Sequence, residues 1–300
     1  MNAALQGSEL RGNLLLDEPM SKHTSWRIGG PADRYYQPAD IADLSLFLSQ
    51  LPDNEPVYWL GLGSNLLVRD GGIRGTVIAT SGVVDGLEQI DEKTVRAEAG
   101  VACAKVARFC ARAGLSGAEF LAGIPGTMGG ALAMNAGAFG GETWDIVTKV
   151  EMLDQQGQCY HRKPEEFEIA YRHVSGAKGE WFSAAQLQLD SDGEPTVLQA
   201  HIKALLAKRG DSQPTSLPNA GSVFRNPEDD FAARLIEVCD LKGQCEGAAC
   251  VSDKHANFII NTGGATAREV ETLIERIVQV VKEKRGVALQ REVHIIGVAE

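Results

Sequence analysis

The stretch from Gly123 to Gly141 constrains this chain more than any other: seven of its 19 residues are glycine and none carries a charge. Glycine reaches positive φ cheaply and lets the backbone come close to a ligand, at an entropic cost that folds rarely carry without return. Successive bare N–H groups in such a loop form a concave anion site, suited to a pyrophosphate. A tightly packed turn or helix crossing, where only small residues fit, is the other reading. A second glycine-bearing loop, Leu60-Gly61-Leu62-Gly63-Ser64-Asn65-Leu66-Leu67, lies upstream and shifts the balance toward a ligand.

At 300 residues, 44% of them hydrophobic and 23% charged, the chain is long enough for two or three small domains with a sizeable core. A net charge of −11 with no offsetting basic run argues against a nucleic-acid partner. The six cysteines, at 103, 110, 159, 239, 245 and 250, form no Cys-x-x-Cys pair, so neither zinc nor dithiol redox chemistry is expected. Cys103 and Cys110 fall on one helix face and read as core. The first residues show no basic region followed by an apolar run, and no apolar stretch approaches the ~18 residues of a membrane helix. These features predict a cytoplasmic protein with reduced thiols and no bound metal.

Residues 8–20 read as a short helix or arm, and Arg34-Tyr35-Tyr36 as a strand. Asp40 caps a helix carrying Ile41, Leu44, Phe47, Leu48 and Leu51 at helical spacing. Strands follow at 57–60, 75–80 and 94–99, then a helix over 103–113 closed by Gly114. Beyond the glycine-rich stretch, 147–153 and 181–189 read as strands flanking a helix-like or loop segment that holds Tyr171-Arg172-His173. Asp192–Pro195 marks a boundary, and Pro195 opens a helix running to Lys208-Arg209. Gly210–Pro218 is the expected linker or lid. Thr266 and Glu269 match a capping box, Val270, Leu273, Ile274, Ile277 and Val281 build one apolar face, and Gly286 ends the helix. The last element is a strand over Val287–Val298, with Glu292 and Val293 on opposite faces.

The upstream loop lacks the third glycine and the distal acidic residue of a dinucleotide fingerprint, and no Gly-Lys-Ser/Thr makes it a phosphate loop. Two loops that each leave a strand, offering N–H groups with Ser64, Asn65, Thr127 and Asn135, can still hold a pyrophosphate between them. A dinucleotide as large as FAD suits that clamp.

The motifs Trp26-Arg27-Ile28-Gly29-Gly30-Pro31-Ala32, Leu60–Leu67, Gly123-Ile124-Pro125-Gly126-Thr127-Met128-Gly129-Gly130 and Asn135–Gly140 occur in that order. Tyr171-Arg172, Asn219–Pro227, Lys254–Phe258 and Leu289-Gln290-Arg291-Glu292-Val293 continue the series. Together they resemble the UDP-N-acetylenolpyruvoylglucosamine reductase family. The resemblance implies an α+β chain: an FAD-binding fold of the vanillyl-alcohol oxidase type in two subdomains, 1–80 and 81–192, then a substrate domain over 193–300. The last strand would return to the active site. It implies FAD held by Gly61, Leu62, Gly63, Ser64, Asn65, Leu66, Gly123, Ile124, Pro125, Gly126, Thr127, Gly129, Gly130, Asn135, Ala136 and Gly137. About 20 residues separate Arg172 from Gly193, with no tyrosine among them, so the chain resembles the shorter subtype without a tyrosine-bearing substrate loop.

Reducing an enolpyruvyl ether places hydride on the terminal vinyl carbon and a proton on the carbon bearing the ether oxygen. Charge then spreads onto the neighbouring carboxylate, so the site needs a cation there and a placed proton donor. Arg172 offers a planar, permanently charged fork for that carboxylate; on its own it reads sooner as a surface ion-pair partner of Glu165, Glu166 or Glu168. By resemblance Ser222 donates the proton and Glu292 stands beside the enolpyruvyl group. Without the resemblance, Ser222 reads as a serine bonding its own chain, and Glu292 as an edge-strand carboxylate. Asn226, Arg209 (or Lys208) and His255, with Asn257, are the expected contacts to the UDP-sugar. The expected activity is NADPH-dependent reduction of UDP-N-acetylglucosamine enolpyruvate in peptidoglycan precursor synthesis, by a monomer or weak dimer. A flavin oxidase that tethers FAD through histidine or cysteine, and a non-catalytic nucleotide-sugar binder, are the rival readings.

Overall fold

The computed structural model describes residues 10–300. The reading of the first nine residues, and the start of the 8–20 arm, lie outside them. The chain folds as two compact units. One takes in the described residues to Leu15, Arg34–Gly61 and Thr76–Ala207; the other takes in Leu16–Asp33, Leu62–Gly75 and Lys208–Glu300.

In the first unit, helix α1 (Ile41–Ser49) starts where the Asp40 carboxylate accepts from the Asp43 N–H at 2.8 Å. Its apolar stripe buries Leu44, Phe47 and Leu48 against Tyr36 and Ile78. Asp43 is 1% exposed and fully engaged, accepting from the Tyr36 hydroxyl at 2.6 Å and from the N–H groups of Ala39 and Arg11. Strand Val57–Leu60, which delivers the upstream glycine loop, pairs in parallel with Ile73–Ala79. These two end a four-stranded sheet ordered Asn13–Pro19, Pro31–Gln37, Ile73–Ala79, Val57–Leu60.

An antiparallel five-stranded sheet carries the larger core of this unit. Its order is Cys159–Arg162, Val147–Asp154, Glu180–Gln188, Thr94–Glu98, Leu87–Gln89. Helices α2 (Cys103–Arg112) and α3 (Met128–Ala133) cover it, burying Val106, Cys110, Met128 and Leu132 against Val95, Ala97, Val150 and Leu187. Burial pushes the thiols of Cys103 and Cys110 up to about 12, so both remain protonated core residues. Helix α4 (Pro195–Ser212) begins at the expected proline.

The second unit is built on helices α5 (Ala232–Glu237) and α6 (Ala267–Arg285). The capping box forms as the sequence predicts: Thr266 accepts from Glu269 N–H while Glu269 returns to Thr266 N–H. Asp70 adds both carboxylate oxygens to the N–H groups of Ala267 and Arg268, each at 2.9 Å. The α6 stripe packs on an antiparallel sheet of Cys245–Glu246, Ala249–Val251 and Ile259–Asn261. The motif residue Trp26 is fully buried there, its indole N–H donating to Ile259 O at 2.7 Å while Asn261 Nδ2 donates to Trp26 O.

Five local expectations are corrected. Asn13–Pro19 is a strand, not a helix or arm, because its peptide groups are satisfied by a neighbouring strand. The segment around Arg172 is a hairpin, Glu168–Ala170 against His173–Ser175, whose two-residue turn is Tyr171-Arg172. Helix α4 runs through Gly210 to Ser212, shortening the expected linker. The final strand is only His294–Ile296, parallel to Leu66–Val68, since the chain before it bonds to a different segment. Cys245 and Cys250 form a disulfide rather than reduced thiols. The turn at Gly247-Ala248 sets them directly opposite each other, a consequence of hairpin register rather than of any cysteine motif.

Candidate active site

The glycine-rich stretch is not one loop. It contains the end of a 3-10 turn over Glu119–Gly123, helix α3, and a small hairpin of Gly137–Ala138 with Gly141–Glu142. Part of it is packing: a Cβ on Gly129 would stand 2.9 Å from that of Ala99. One expected anion donor is already used, as Gly129 N–H donates to Ala99 O, and the neighbouring Met128 N–H donates to Val101 O. Gly126 O accepts from Cys103 N–H, and Ile124 N–H donates to Leu121 O.

The ligand reading rests on what remains. Gly61 and Thr127 meet, so closely that a Cβ on Gly61 would fall 2.4 Å from Thr127 Oγ1. Beside them lies a cavity of about 310 Å³, within the usual range of small-molecule sites. Gly61, Thr127, Gly129 and Gly130 line one part of it; Trp59, Phe167, Val174–Ala177, Trp181 and Phe182 line the rest. Thr127 is 1% exposed, and its hydroxyl has no hydrogen-bond partner. Trp59 lines the same cavity, and its indole nitrogen is buried and unpartnered as well. Leaving such groups unmatched is costly, and a ligand that bonds to them removes the cost. Glycine backbone on one part of the cavity and aromatic rings on the rest suit a planar ring system. The aromatic lining carries no sequence signal: Phe167, Trp181 and Phe182 lie more than 100 positions from Gly61, and only Trp59 adjoins a motif.

Arg172 sits in the hairpin turn with φ +54°. Its guanidinium donates to Asn135 O at 3.2 Å and Gly137 O at 3.0 Å, and lies 4.9 Å from the Tyr171 ring. Asn135 is buried, with φ +46°. Its Nδ2 donates to Glu142 Oε2 at 2.7 Å and Ala170 O at 3.3 Å, and its Oδ1 accepts from Trp144 N–H at 3.1 Å. The Asn135 side chain therefore holds the loop and the hairpin together, and its carbonyl seats the arginine. Ala136 O accepts from Thr143.

In the second unit the motifs around Ser222 and Glu292 are joined through the backbone. Glu292 N–H donates to Val223 O at 2.8 Å, and Arg225 N–H to Gln290 O at 2.9 Å. Asn65 Nδ2 donates to Glu292 O at 3.2 Å, and His294 N–H to Asn65 O at 3.1 Å, so the upstream loop reaches the same segment. Gly63 O accepts from Ser25 N–H at 3.1 Å, and Leu66 opens the strand beside His294. Leu62 is exposed and Ser64 half-buried.

The expected substrate contacts fare unevenly. Asn226 Oδ1 accepts from Ala232 N–H at 3.1 Å, at the start of α5. Arg209 donates to Gln213 Oε1 at 2.9 Å, and burial lowers its pKa. His255 packs edge-on to Phe258, with burial and then Lys242 lowering its pKa. Asn257, expected at the nucleotide pocket, instead clamps Phe224: its Oδ1 accepts from Phe224 N–H at 2.9 Å and its Nδ2 donates to Phe224 O at 2.8 Å.

Residues 32–162 match the FAD binding domain, and residues 213–296 match the UDP-N-acetylenolpyruvoylglucosamine reductase C-terminal domain. The UDP-N-acetylenolpyruvoylglucosamine reductase of Alkalilimnicola ehrlichii is 58% identical over 96% of both chains. The chain belongs to the UDP-N-acetylenolpyruvoylglucosamine reductase family. The reductase of Methylococcus capsulatus is 56% identical, over 100% of this chain and 98% of its own. The crystal structure of the Thermus caldophilus reductase matches with a TM-score of 0.81 at 32% identity, covering 96% of this chain and 99% of that one. The reductase family's FAD-binding and C-terminal domains thus account for the α+β architecture, and Gly61 and Thr127 lie within the FAD binding domain's extent while the Phe167–Phe182 side of the cavity lies beyond it.

Proposed function

We propose that this chain reduces the enolpyruvyl ether of UDP-N-acetylglucosamine enolpyruvate to UDP-N-acetylmuramate with NADPH, supplying a precursor of peptidoglycan. The observation that carries this reading is the 58% identity maintained over 96% of both chains with a reductase of that name. FAD is the cofactor, and when bound it supplies hydride carriage from NADPH to the double bond. Gly61, Thr127 and Trp59 would hold it, and the unpartnered Thr127 hydroxyl and Trp59 indole N–H are the groups it would satisfy.

The protein's own part is positioning and proton supply. Arg172, seated by two backbone carbonyls, presents its guanidinium to the substrate carboxylate and stabilises the charge that develops there. The Ser222 hydroxyl gives its proton to the carbon bearing the ether oxygen, while hydride arrives at the terminal carbon. A serine is a weak acid, so a charged neighbour must support the transfer, and Glu292 is that neighbour in this reading. The same ligand space serves NADPH and the UDP-sugar in turn, since no separate nicotinamide fold is present in the sequence. Asn226, Arg209 and His255 belong to the UDP-sugar side of the proposal. A cytoplasmic location and a monomeric or weakly dimeric state complete it; no helix among the described residues is long and apolar enough to cross a membrane.

The flavin-oxidase alternative would tether FAD through histidine or cysteine, and neither residue type lines the cavity. The deciding experiment mixes the yellow protein with NADPH anaerobically and then adds the enolpyruvyl UDP-sugar. Bleaching followed by return of the colour is the expected result. Bleaching that the UDP-sugar does not reverse, while oxygen does, would favour the oxidase.

A further inference from the structure

We infer that Asn257 is a positioning residue for proton delivery: its buried amide sets where Ser222 stands relative to Glu292. The inference rests on the roles given to Ser222 and Glu292 above.

Ser222 follows Gly221, whose φ of +73° allows the chain to turn freely there. Gly221 N–H donates to Asn219 Oδ1 at 2.9 Å on one side of the serine, and the stretch after it holds the other side. Val223 and Phe224 are 0% and 1% exposed, yet they belong to no regular strand. One edge of the stretch bonds to the Glu292 segment, through Glu292 N–H to Val223 O at 2.8 Å and Arg225 N–H to Gln290 O at 2.9 Å. The other edge has Asn257. Its main-chain carbonyl accepts from Val223 N–H at 2.9 Å. Its side-chain Oδ1 and Nδ2 then bond to the N–H and O of Phe224 at 2.9 and 2.8 Å.

A carboxamide is planar, with an acceptor and a donor side by side, and so stands in for the peptide group of a missing neighbouring strand. Asn257 is 4% exposed, leaving no water to replace it. The two-sided pairing thus holds Val223–Arg225 straight, with Ser222 at one end and Glu292 across the ladder. Removing the amide leaves that edge with only the bond from Val223 N–H to the main-chain carbonyl of residue 257, while the Glu292 edge persists. Ser222 then shifts relative to the carboxylate, although neither reacting group has changed. A misplacement on the order of 1 Å is enough to slow a positioned step by about 100-fold.

The test uses the flavin-loaded protein in anaerobic stopped-flow, reading NADPH bleaching and reoxidation by the enolpyruvyl UDP-sugar separately. Asn257→Ala is expected to bleach within about 3-fold of wild type and to reoxidise about 100-fold more slowly. Asn257→Asp supplies the discriminating readout. A protonated carboxyl donates to Phe224 O and accepts from Phe224 N–H as the amide does, whereas the carboxylate repels that carbonyl. Burial raises a carboxyl pKa, so reoxidation by this variant, divided by wild type at each pH to remove the titration of neighbouring His255, is expected to recover at least about 10-fold from about pH 8 to about pH 5.5. Amide hydrogen exchange in peptides covering 222–225 and 290–293 is expected to quicken in Asn257→Ala. Unchanged reoxidation in Asn257→Ala, equal slowing of both half-reactions, or no recovery at low pH in Asn257→Asp would overturn the inference. If the alanine variant does not fold, the aspartate profile decides alone. Undiminished reoxidation in Ser222→Ala would instead overturn the reading on which the inference depends.

Discussion

The N–H of Glu292 donates to the carbonyl of Val223 at 2.8 Å, so the carboxylate-bearing segment and the residue after Ser222 are joined by one backbone bond. Two motifs about 70 residues apart in sequence thereby become one substructure, held together through their main chains.

Replacing Ser222 with alanine is expected to leave bleaching by NADPH nearly intact and to slow the second half-reaction by about 10²–10⁴-fold, the usual worth of a general acid. Glu292→Gln is expected to act on the same step. Rapid-mixing absorbance resolves the two. Equal loss in both half-reactions would remove Ser222 from the proton-donor role.

Arg172→Lys keeps the charge but cannot donate to the carbonyls of Asn135 and Gly137 while also offering a fork to a carboxylate. Its reoxidation rate is expected to fall about 10–100-fold, with flavin content unchanged. Asn135→Ala additionally removes the bonds to Glu142 and Trp144 and forces alanine into left-handed backbone, so it should lower stability by about 2–3 kcal/mol. Chemical denaturation of both variants separates the effects; a fully stable Asn135→Ala would refute the bridging role.

Gly61→Ala places a methyl group 2.4 Å from Thr127 Oγ1 and is expected to yield protein depleted of flavin. Thr127→Val removes a buried hydroxyl that has no partner in the protein itself. The flavin-free form should therefore be no less stable, while FAD affinity weakens by about 5–10-fold, corresponding to one lost hydrogen bond. Calorimetric titration with FAD and thermal melts of the flavin-free protein measure both.

Burial, ahead of neighbouring charge, lowers the pKa of His255 and His294 from 6.5; Lys242 adds to the effect at His255, and Arg225 and Arg291 at His294. The unfolded chain then binds protons that the native state refuses. The stability involved is present above about pH 6.5 and is lost as pH falls through the lower native values. His255→Asn and His294→Asn are expected to flatten the decline in denaturation midpoint between about pH 7 and about pH 5. An unchanged slope would show that neither histidine titrates lower in the native state than in the unfolded chain.

Reducing the Cys245–Cys250 bond opens a short loop, so the expected cost is about 2 kcal/mol or less. Denaturation midpoints with and without a dithiol reductant, in wild type and Cys245→Ser, test it: the variant should not respond.

Much of the fold was legible because the signals are local. The Asp40 and Thr266 caps, the α6 stripe and the Gly114 and Gly286 stops depend on residues three to seven apart, and each formed as the sequence predicts. The segment around Arg172 and the extended chain before His294 were misread because neither has a periodic pattern. Their conformations answer to partners far away, Asn135 for the one and Val223 for the other.

What the sequence determined by itself was the locally capped, amphipathic helices and, through ordered motifs spanning nearly the whole chain, the family. Only the tertiary structure decided which chemistry-bearing groups are free to act. It engaged the side chains of Asn135 and Asn257 in the scaffold, left Thr127 and Trp59 lining a cavity, and set Cys245 opposite Cys250. The reason is physical: capping and amphipathicity are satisfied within a few residues, whereas whether a buried polar group is paired depends on whatever distant chain packs against it.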